Sequence, residues 1–459
     1  MKTKHKKYDV AIIGGGISGI MAAHRLSEKN SALKIVMLEK GAELKKRSCP
    51  MITKGLDACI GCESCSIMEG MAGAGAFSDG KYVISTEYGG WLTDFLPHDV
   101  VINYIEQADA IMVSHGATEE RFAPNNELKL QCLMHDSHMQ QAELKHLGTD
   151  SNYDTMLNLI DEIGQRIEIA VKTEVMDVDK DKHILTLDDG SKIEADKIIF
   201  AVGRSGSRDF AAWCKKNSVV MTNTQVDVGV RVELPAIIWD HFSKKIYEPK
   251  IWYRSQQYGD TTRMFCFNER GNVVVENTDG VMTVNGHAYK GANKKTENSN
   301  FALLSTIRFT KPFKNPIEYA RYVASLANLI SGGGVLVQRL GDLEAGRRTE
   351  DKRLRQSTTR PTLNAVPGDL SLCMPKRQLD NIIETLHALD KIAPGTANHD
   401  TLLYGVECKY YSARPETADF ELVGMKDIYA VGDGAGFTRS LSHAAAHELY
   451  VGDKILRNK

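Results

Sequence analysis

The feature that most narrows what this chain can fold into is Asp9-Val-Ala-Ile-Ile-Gly-Gly-Gly-Ile-Ser-Gly19, an apolar run that passes into Gly14-x-Gly16-x-x-Gly19 and then into the helix-like Ile20-Met-Ala-Ala-His-Arg-Leu26. An apolar run of this kind fits a parallel strand buried on both faces. Gly14 permits the tight turn, Gly16 lets the backbone come close to a pyrophosphate, and Gly19 lets helix and strand pack. Ser18 stands in the first turn of that helix, whose unpaired N–H groups attract an anion. A second apolar run, Lys34-Ile-Val-Met-Leu38, ends in Glu39, twenty residues past Gly19. A carboxylate at that distance accepts from a ribose hydroxyl and disfavours the extra phosphate of NADP. Strand, glycines, helix and acid in register predict a dinucleotide-binding unit, with Lys40 beside Glu39 as a further candidate contact.

The far end of the chain points to FAD. Asp427-Ile-Tyr-Ala-Val-Gly-Asp433 is a second short buried strand, followed by Gly434-Ala-Gly436 and a helical stretch from about Thr438 to Leu456. Gly432 and Gly436 supply the turns, Asp433 suits a ribityl hydroxyl, and the N-terminus of the last helix can stabilise charge on a reduced isoalloxazine. Lys197-Ile-Ile-Phe-Ala-Val-Gly-Arg204, with its turn at Gly203, reads as the strand by which the chain returns to this domain. The pairing resembles the glutathione-reductase type of flavoprotein. It predicts an α/β fold, a Rossmann-like FAD-binding domain assembled from discontinuous segments with a mixed α+β substrate domain.

Longer motifs narrow the resemblance. Gly73-Ala-Gly-Ala-Phe-Ser-Asp-Gly-Lys81, Val226-Asp-Val-Gly-Val-Arg-Val-Glu233, Val284-Asn-Gly-His287, Arg339-Leu-Gly-Asp342, Val366-Pro-Gly-Asp-Leu-Ser371 and Gly432-Asp-Gly-Ala-Gly-Phe-Thr-Arg439 resemble the bacterial FAD-dependent dehydrogenase-like family over almost the whole chain. The resemblance implies that Gly75 lies beside the flavin and that the backbone near Val175 contacts adenine. It does not imply a substrate. Where the family has a Gln-Ala-Ser-Ala-Ser-Gly-like run in the last helix, this chain has His443-Ala-Ala-Ala-His447-Glu448.

Cys59-Ile-Gly-Cys62-Glu-Ser-Cys65, with Cys49 upstream, offers four thiolates in one segment. The tight C-x-x-C-x-x-C run resembles a ferredoxin-type [4Fe–4S] ligand set, and its place ahead of Gly73 to Lys81 would let electrons pass to the flavin. Structural zinc, a metal clip on a long loop and unligated or catalytic thiols are the competing readings. Nine cysteines, an odd number, fit metal or redox chemistry better than a secreted disulfide framework.

Composition excludes little else. A formal net charge of -2 over 459 residues gives no electrostatic reason to bind nucleic acid. Apolar runs are too short for a membrane span, and no targeting segment is read at the basic start, so a cytoplasmic protein is expected. The predicted organisation is 1–90 as the first part of the FAD-binding domain with the cysteine loop, 91–145 as a helical cap, 146–220 as its second part, 221–400 as the substrate domain and 401–459 as its third part. Helices are expected over Val100 to Val113, Asn152 to Arg166, Pro316 to Ile330 and Gln378 to Leu389, with a hairpin turn at Asp188-Asp-Gly190.

No second G-x-G-x-x-G motif occurs, since Gly332-Gly-Gly334 lacks its spacing. Electron entry through a cluster, a ferredoxin-like donor or the substrate therefore competes with visiting NAD(P)H. Candidate catalytic groups are His443 on the last helix, Cys266 in Met264-Phe-Cys-Phe-Asn268 and His287, with Tyr289 close by. Each has a plainer reading as a packed or hydrogen-bonded residue, and His447 reads as part of a solvated helix face. Arg47, Arg204 and Arg439 follow flavin-linked segments and could neutralise a pyrophosphate or bind an acidic substrate. Cys132, His135 and His138 lack a fourth ligand, and the run Glu344 to Arg355, with Arg347-Arg348, reads as a solvated face.

The reaction expected is hydride transfer between the flavin and a small organic substrate, as C=C reduction or dehydrogenation. Two other classes fit the same residues: an electron-transfer flavoprotein with a protein redox partner, and an FAD-binding protein with a structural zinc site.

Overall fold

Contact between distant parts of the chain divides it into two compact units, one formed by 1–121, 142–224 and 412–459 and the other by 122–141 and 225–411. The computed structural model describes residues 5–54, 60, 62, 64–222, 225–278, 280–288, 295–307, 309, 315–409 and 411–457.

The first unit is built on β1 (Lys6–Ile13), α1 (Ile17–Lys29), β2 (Ile35–Glu39), β3 (Glu168–Val171) and β4 (Lys192–Phe200). With the strand Ile428–Ala430 they form a parallel array in the order Ile428–Ala430, β4, β1, β2, β3. Register sets Ile13 beside Leu38 and Phe200, Leu38 beside Ala170, and Phe200 beside Ala430, so the strands end on one level. Because β1 feeds β2 on one side and lies against β4 on the other, the crevice past the carboxyl ends is a topological switch point, the place where such sheets bind ligands. The hairpin Val175–Asp179 and Ile184–Leu187 turns through Asp188-Asp-Gly190 into β4, where Gly190 takes a φ of +80°. Ile12, Ile20, Met21, Ile198, Val431 and Leu449 lie in its core. The predicted helices occur as His98–Ser114 and Thr149–Ile163.

The second unit is an eight-stranded sheet around β5 (Val226–Pro235), β6 (Thr261–Asn268), β7 (Asn298–Ile307) and β8 (Leu402–Lys409). β5 lies between β8 and β7, antiparallel to both. Alternation along β5 separates Val226, Val228, Val230, Val232 and Leu234, which join an apolar core with the helices Pro316–Ile330 and Lys376–Asp390, from Asp227, Arg231 and Glu233. Those three buried charged residues find partners within the unit. Arg231 Nε pairs with Glu407 Oε2 at 2.8 Å. Asp227 accepts from Arg263 Nη2 at 2.6 Å and Thr306 Oγ1 at 2.7 Å, and Glu233 accepts from Thr362 Oγ1 at 2.6 Å and Tyr404 Oη at 2.5 Å.

Two expected boundaries move. The segment 91–145 is no single cap, because the strand Ser137–Gln140 pairs with Lys250–Arg254 and takes 122–141 into the second unit. β8, expected with the last piece of the FAD-binding domain, is held between β5 and Leu336–Arg339, so that piece begins at 412. The run Glu344 to Arg355 is only partly a solvated face, since Arg347 and Thr349 hold the buried Asp342 at 2.8 and 2.9 Å. Among the described residues no helix is long and apolar enough to cross a membrane.

Candidate FAD site

At the carboxyl edge of the first unit the glycines have the tolerances a dinucleotide cradle needs. A Cβ on Gly19 would fall 2.0 Å from Gly14 O, and one on Gly14, whose φ is +110°, would fall 2.4 Å from Ala201 O. Gly16 differs: its nearest neighbour across the turn is Gly73 Cα, 3.9 Å from where a Cβ would sit. The Gly14 to Gly19 turn thus faces the Gly73 to Lys81 segment, with no side chain from Gly16 or Gly73 between them. Gly16 caps α1 without a side-chain hydrogen bond, and the first turn carries no acid, so the positive end of the helix is not neutralised locally.

Glu39 ends β2 and is buried. Its Oε2 accepts from Gly15 N at 2.8 Å, and its Oε1 accepts from Gly41 N at 2.8 Å and Gly70 N at 3.0 Å. A carboxylate has about four acceptor positions, so one remains for a ribose hydroxyl. Beside it Thr173 N donates to Glu39 O at 3.0 Å and Lys172 N to Gly41 O at 2.8 Å, which brings the half-buried Val175 to this end of β2.

Lys40 and Arg47 are directed elsewhere. Lys40 Nζ lies 2.8 Å from Glu69 Oε1; burial pulls its pKa down, and the Glu69 carboxylate more than offsets this. Arg47 donates to the carbonyls of Ser66, Ile67, Met71 and Gly73 at 2.7–3.0 Å and lies over the Phe77 ring at 4.7 Å. Burial lowers it to about 10. Its donors hold the wall of the cradle, so the expected pyrophosphate contact is not where they point. Asn152 Nδ2 and Ser78 Oγ both donate to Gly75 O at 2.8 Å, and a Cβ on Gly75 would meet Leu441.

The remaining segments meet at the other side of β1. Gly203 has φ +63° with open space around it, and its carbonyl lies 2.4 Å from where a Cβ on Gly434 would sit. Gly432, at φ +70°, leaves a Cβ no room against Ser18 Oγ, 2.3 Å away, and Gly436 takes φ +74°. Asp433 Oδ1 accepts from Thr438 Oγ1 at 2.5 Å. Burial pushes the Asp433 carboxyl up, against the pull of Arg204 and Arg439. Arg204 is exposed, while the Arg439 guanidinium stacks over Trp91 at 4.7 Å.

The final helix, Leu441–Arg457, is preceded by Ser440, whose Oγ accepts from His443 N at 3.2 Å. His443 is buried, and its Nε2 lies 2.8 Å from Ser85 O, so the ring props the loop from 85 to 90. His447 contradicts the solvated reading. It is fully buried, with ring centroids 4.1 Å from Phe420 and 5.3 Å from Phe437, and burial lowers it to about 3. Glu448, which the sequence reading passed over, is also fully buried, its pKa pushed well up by desolvation. Polar residues among alanines gave no signal of burial; only the tertiary packing of this helix does.

Cys49 and Cys65 are half-buried and Cys62 is exposed, all three as free thiols, while Cys59 lies outside the described residues. Among the described residues no three His, Cys, Asp or Glu side chains gather to hold a metal. Cys132 is buried with its thiol pushed up to about 12, and His138 stacks on Trp252 at 3.9 Å, so that triplet is core and surface packing.

Cys266 and His287 belong to the second unit. Cys266 stands at a bulge of β6 with φ +53°; its N–H donates to Glu248 Oε1 at 2.7 Å, and its carbonyl accepts from Arg231 Nη1 and Asn268 Nδ2 at 2.9 Å. His287 is exposed at the end of the hairpin Asn272–Thr278 and Val281–His287, and Tyr289 lies outside the described residues.

Residues 8–227 match the family described as Pyridine nucleotide-disulphide oxidoreductase, and residues 225–410 match the one described as FAD-dependent protein, C-terminal domain-like. The chain is an FAD-dependent oxidoreductase, with an α/β FAD-binding portion followed by an FAD-dependent C-terminal domain. Similar solved structures include glycine oxidase from Geobacillus kaustophilus, at 12% identity and a TM-score of 0.39 over 99% of this chain and 95% of that one. L-proline dehydrogenase from P. horikoshii stands at 10% and 0.42, with the same 99% and 95% coverage. NikD, an amino acid oxidase essential for nikkomycin biosynthesis, stands at 11% and 0.44, again over 99% and 95%. No curated protein matches the sequence.

Proposed function

We propose that the chain holds FAD along the carboxyl edge of its parallel sheet and moves hydride between the flavin and a small organic substrate, as C=C reduction or dehydrogenation. The observation that carries this reading is the register, which ends β1, β2, β4 and Ile428–Ala430 on one level and so gathers Gly14, Gly16, Glu39, Gly203 and Asp433 at one crevice. FAD, when bound, supplies a two-electron carrier that gives or accepts hydride.

The residues have separate tasks. Gly16 and the uncapped first turn of α1, with Ser18, would hold the pyrophosphate. Glu39 has one acceptor position left for the adenosine ribose, beside Val175 for adenine. Asp433, oriented by Thr438, would take the ribityl chain, and the N-terminus of the final helix would favour negative charge at the ring. Lys40 and Arg47 fix the wall through Glu69 and four carbonyls.

Electron supply by a ferredoxin-like donor or by NAD(P)H, and a cytoplasmic location, belong to the same proposal. A [4Fe–4S] cluster or zinc at Cys49, Cys59, Cys62 and Cys65 rests on the spacing of those cysteines alone. The test is anaerobic purification with flavin, iron, zinc and acid-labile sulfide measured per chain, followed by reduction with NADH, NADPH or reduced ferredoxin. One FAD per chain, reduced by a donor and reoxidised by an unsaturated acid or ketone, supports the reading. A chain that takes up no FAD overturns it, and about four irons with sulfide would bring the cluster into the mechanism.

A further inference from the structure

The final helix carries an imidazole whose hydrogen-bonding role is fixed by its surroundings. His447 Nδ1 lies 3.1 Å from the backbone N of Gly432. An N–H only donates, so Nδ1 carries no proton and the neutral ring holds its proton on Nε2. Nε2 is buried and has no partner among the described residues. Phe420 and Phe437 line the ring, and burial keeps it uncharged. An apolar side chain would fill this box more cheaply, so what the imidazole adds is an acceptor for one backbone N–H.

That N–H belongs to the turn that leads into Asp433. Gly432, with φ +70° and ψ −159°, adopts a backbone conformation that other residues rarely reach, and Ser18 closes the space over its Cα. Asp433 is then tied at Oδ1 to Thr438. The turn is therefore held by His447 before Asp433 and by Thr438 after it.

We propose that His447 is a positioning residue for FAD: by accepting the Gly432 N–H it fixes the turn that sets Asp433 toward the flavin side of the cradle. This rests on the FAD reading above. His447 touches neither substrate nor flavin in this role; it acts through Gly432.

Two substitutions separate the acceptor from the packing. In His447→Asn the side-chain oxygen takes the place of Nδ1, while His447→Leu fills the box and leaves Gly432 N–H unpaired. FAD affinity of the reconstituted full chain, the flavin absorption spectrum and the thermal stability of the FAD-free chain would be compared with wild type. The expected result is FAD binding about tenfold weaker with a shifted spectrum in H447L, and binding within about threefold of wild type in H447N. Wild-type binding by H447L, or an equal loss in both variants, overturns the role. A wild type that takes up no FAD overturns the FAD reading and this role together.

A second measurement needs no substitution to fold well. In protein labelled with ¹⁵N-histidine, one imidazole should stay an unprotonated-Nδ1 tautomer from about pH 8 down to about pH 5. Among the ring signals, H447N removes that one. A His447 ring with its proton on Nδ1, or one that becomes charged near about 6.5, overturns the role.

Discussion

Glu39 Oε2 accepts the backbone N–H of Gly15 at 2.8 Å, joining the acid that ends the second strand to the glycine loop that ends the first. The same carboxylate holds Gly41 and Gly70, so one side chain fixes three turns around the crevice. Removing it would release all three turns at once.

Glu39→Gln should therefore cost more than a ribose contact. An amide presents one acceptor and turns its NH₂ toward backbone donors, so a buried N–H is left facing another donor. The expected loss is about 3 kcal/mol of stability in urea unfolding of the FAD-free chain. Unchanged stability with weakened FAD binding would show that the three backbone bonds matter little.

Two glycine substitutions should behave differently. In Gly19→Ala the new Cβ would lie 2.0 Å from Gly14 O, so α1 must move off β1 and FAD retention should be lost. Gly203 has nothing within 4 Å of a Cβ, and its φ of +63° leaves only the cost of a left-handed residue. Gly203→Ala should then fold with a loss of about 1 kcal/mol. Gel filtration with flavin absorbance, together with urea unfolding, reads both. Equal effects would refute the cradle geometry.

Much of the first unit was legible because its signals are local. The run Asp9 to Gly19, the acid at Glu39 and the turn at Asp188-Asp-Gly190 each declare themselves within a few residues, and in the second unit the helix Pro316–Ile330 keeps its predicted bounds. What was not legible depends on pairing across long separations. His138 meets Trp252 in a neighbouring strand, and Lys409 pairs with Asp227 on β5. Nothing near Ser137 or Leu402 announces those partners. Likewise Arg47 shows by its position only that it could meet an anion, whereas four carbonyls in the chain from Ser66 to Gly73 claim its donors.

The polar face of β5 carries a prediction for the second unit. Arg231 and Glu407 are fully buried, with Nε–Oε2 at 2.8 Å and Nη2–Oε1 at 2.9 Å. Glu407→Leu strands Arg231 and takes a partner from Lys409, whose Nζ lies 3.2 Å from Glu407 Oε1, and should cost about 3–5 kcal/mol, whereas Arg231→Met leaves Glu407 beside Lys409 and should cost less. The double substitution removes the stranded Arg231 but leaves Lys409 without Glu407, so it should recover only part of that loss. A double-mutant cycle in urea measures it, and additive losses would mean that the two side chains do not act as a pair.

His447 and Glu448, adjacent on the final helix, should shape the pH profile of stability in opposite directions. His447 sits at about 3 in the folded chain against an ordinary value of 6.5, through burial. Between those values the unfolded chain binds a proton that the folded chain does not, so stability falls as pH drops, by on the order of 4 kcal/mol at about pH 3. Burial raises Glu448 well above 4.5, with neither carboxyl oxygen partnered among the described residues. Above that ordinary value the unfolded chain gives up a proton that the folded chain keeps, so stability falls as pH rises. Glu448→Gln should flatten the alkaline side and stabilise the protein at about pH 8 by about 2 kcal/mol, because a neutral amide has no proton to lose. His447→Leu should flatten the acid side below about pH 6.5. Urea unfolding at a series of pH values reads both slopes. An alkaline limb unchanged in E448Q would place the ionised carboxylate in the folded helix and contradict the burial that defines this pair.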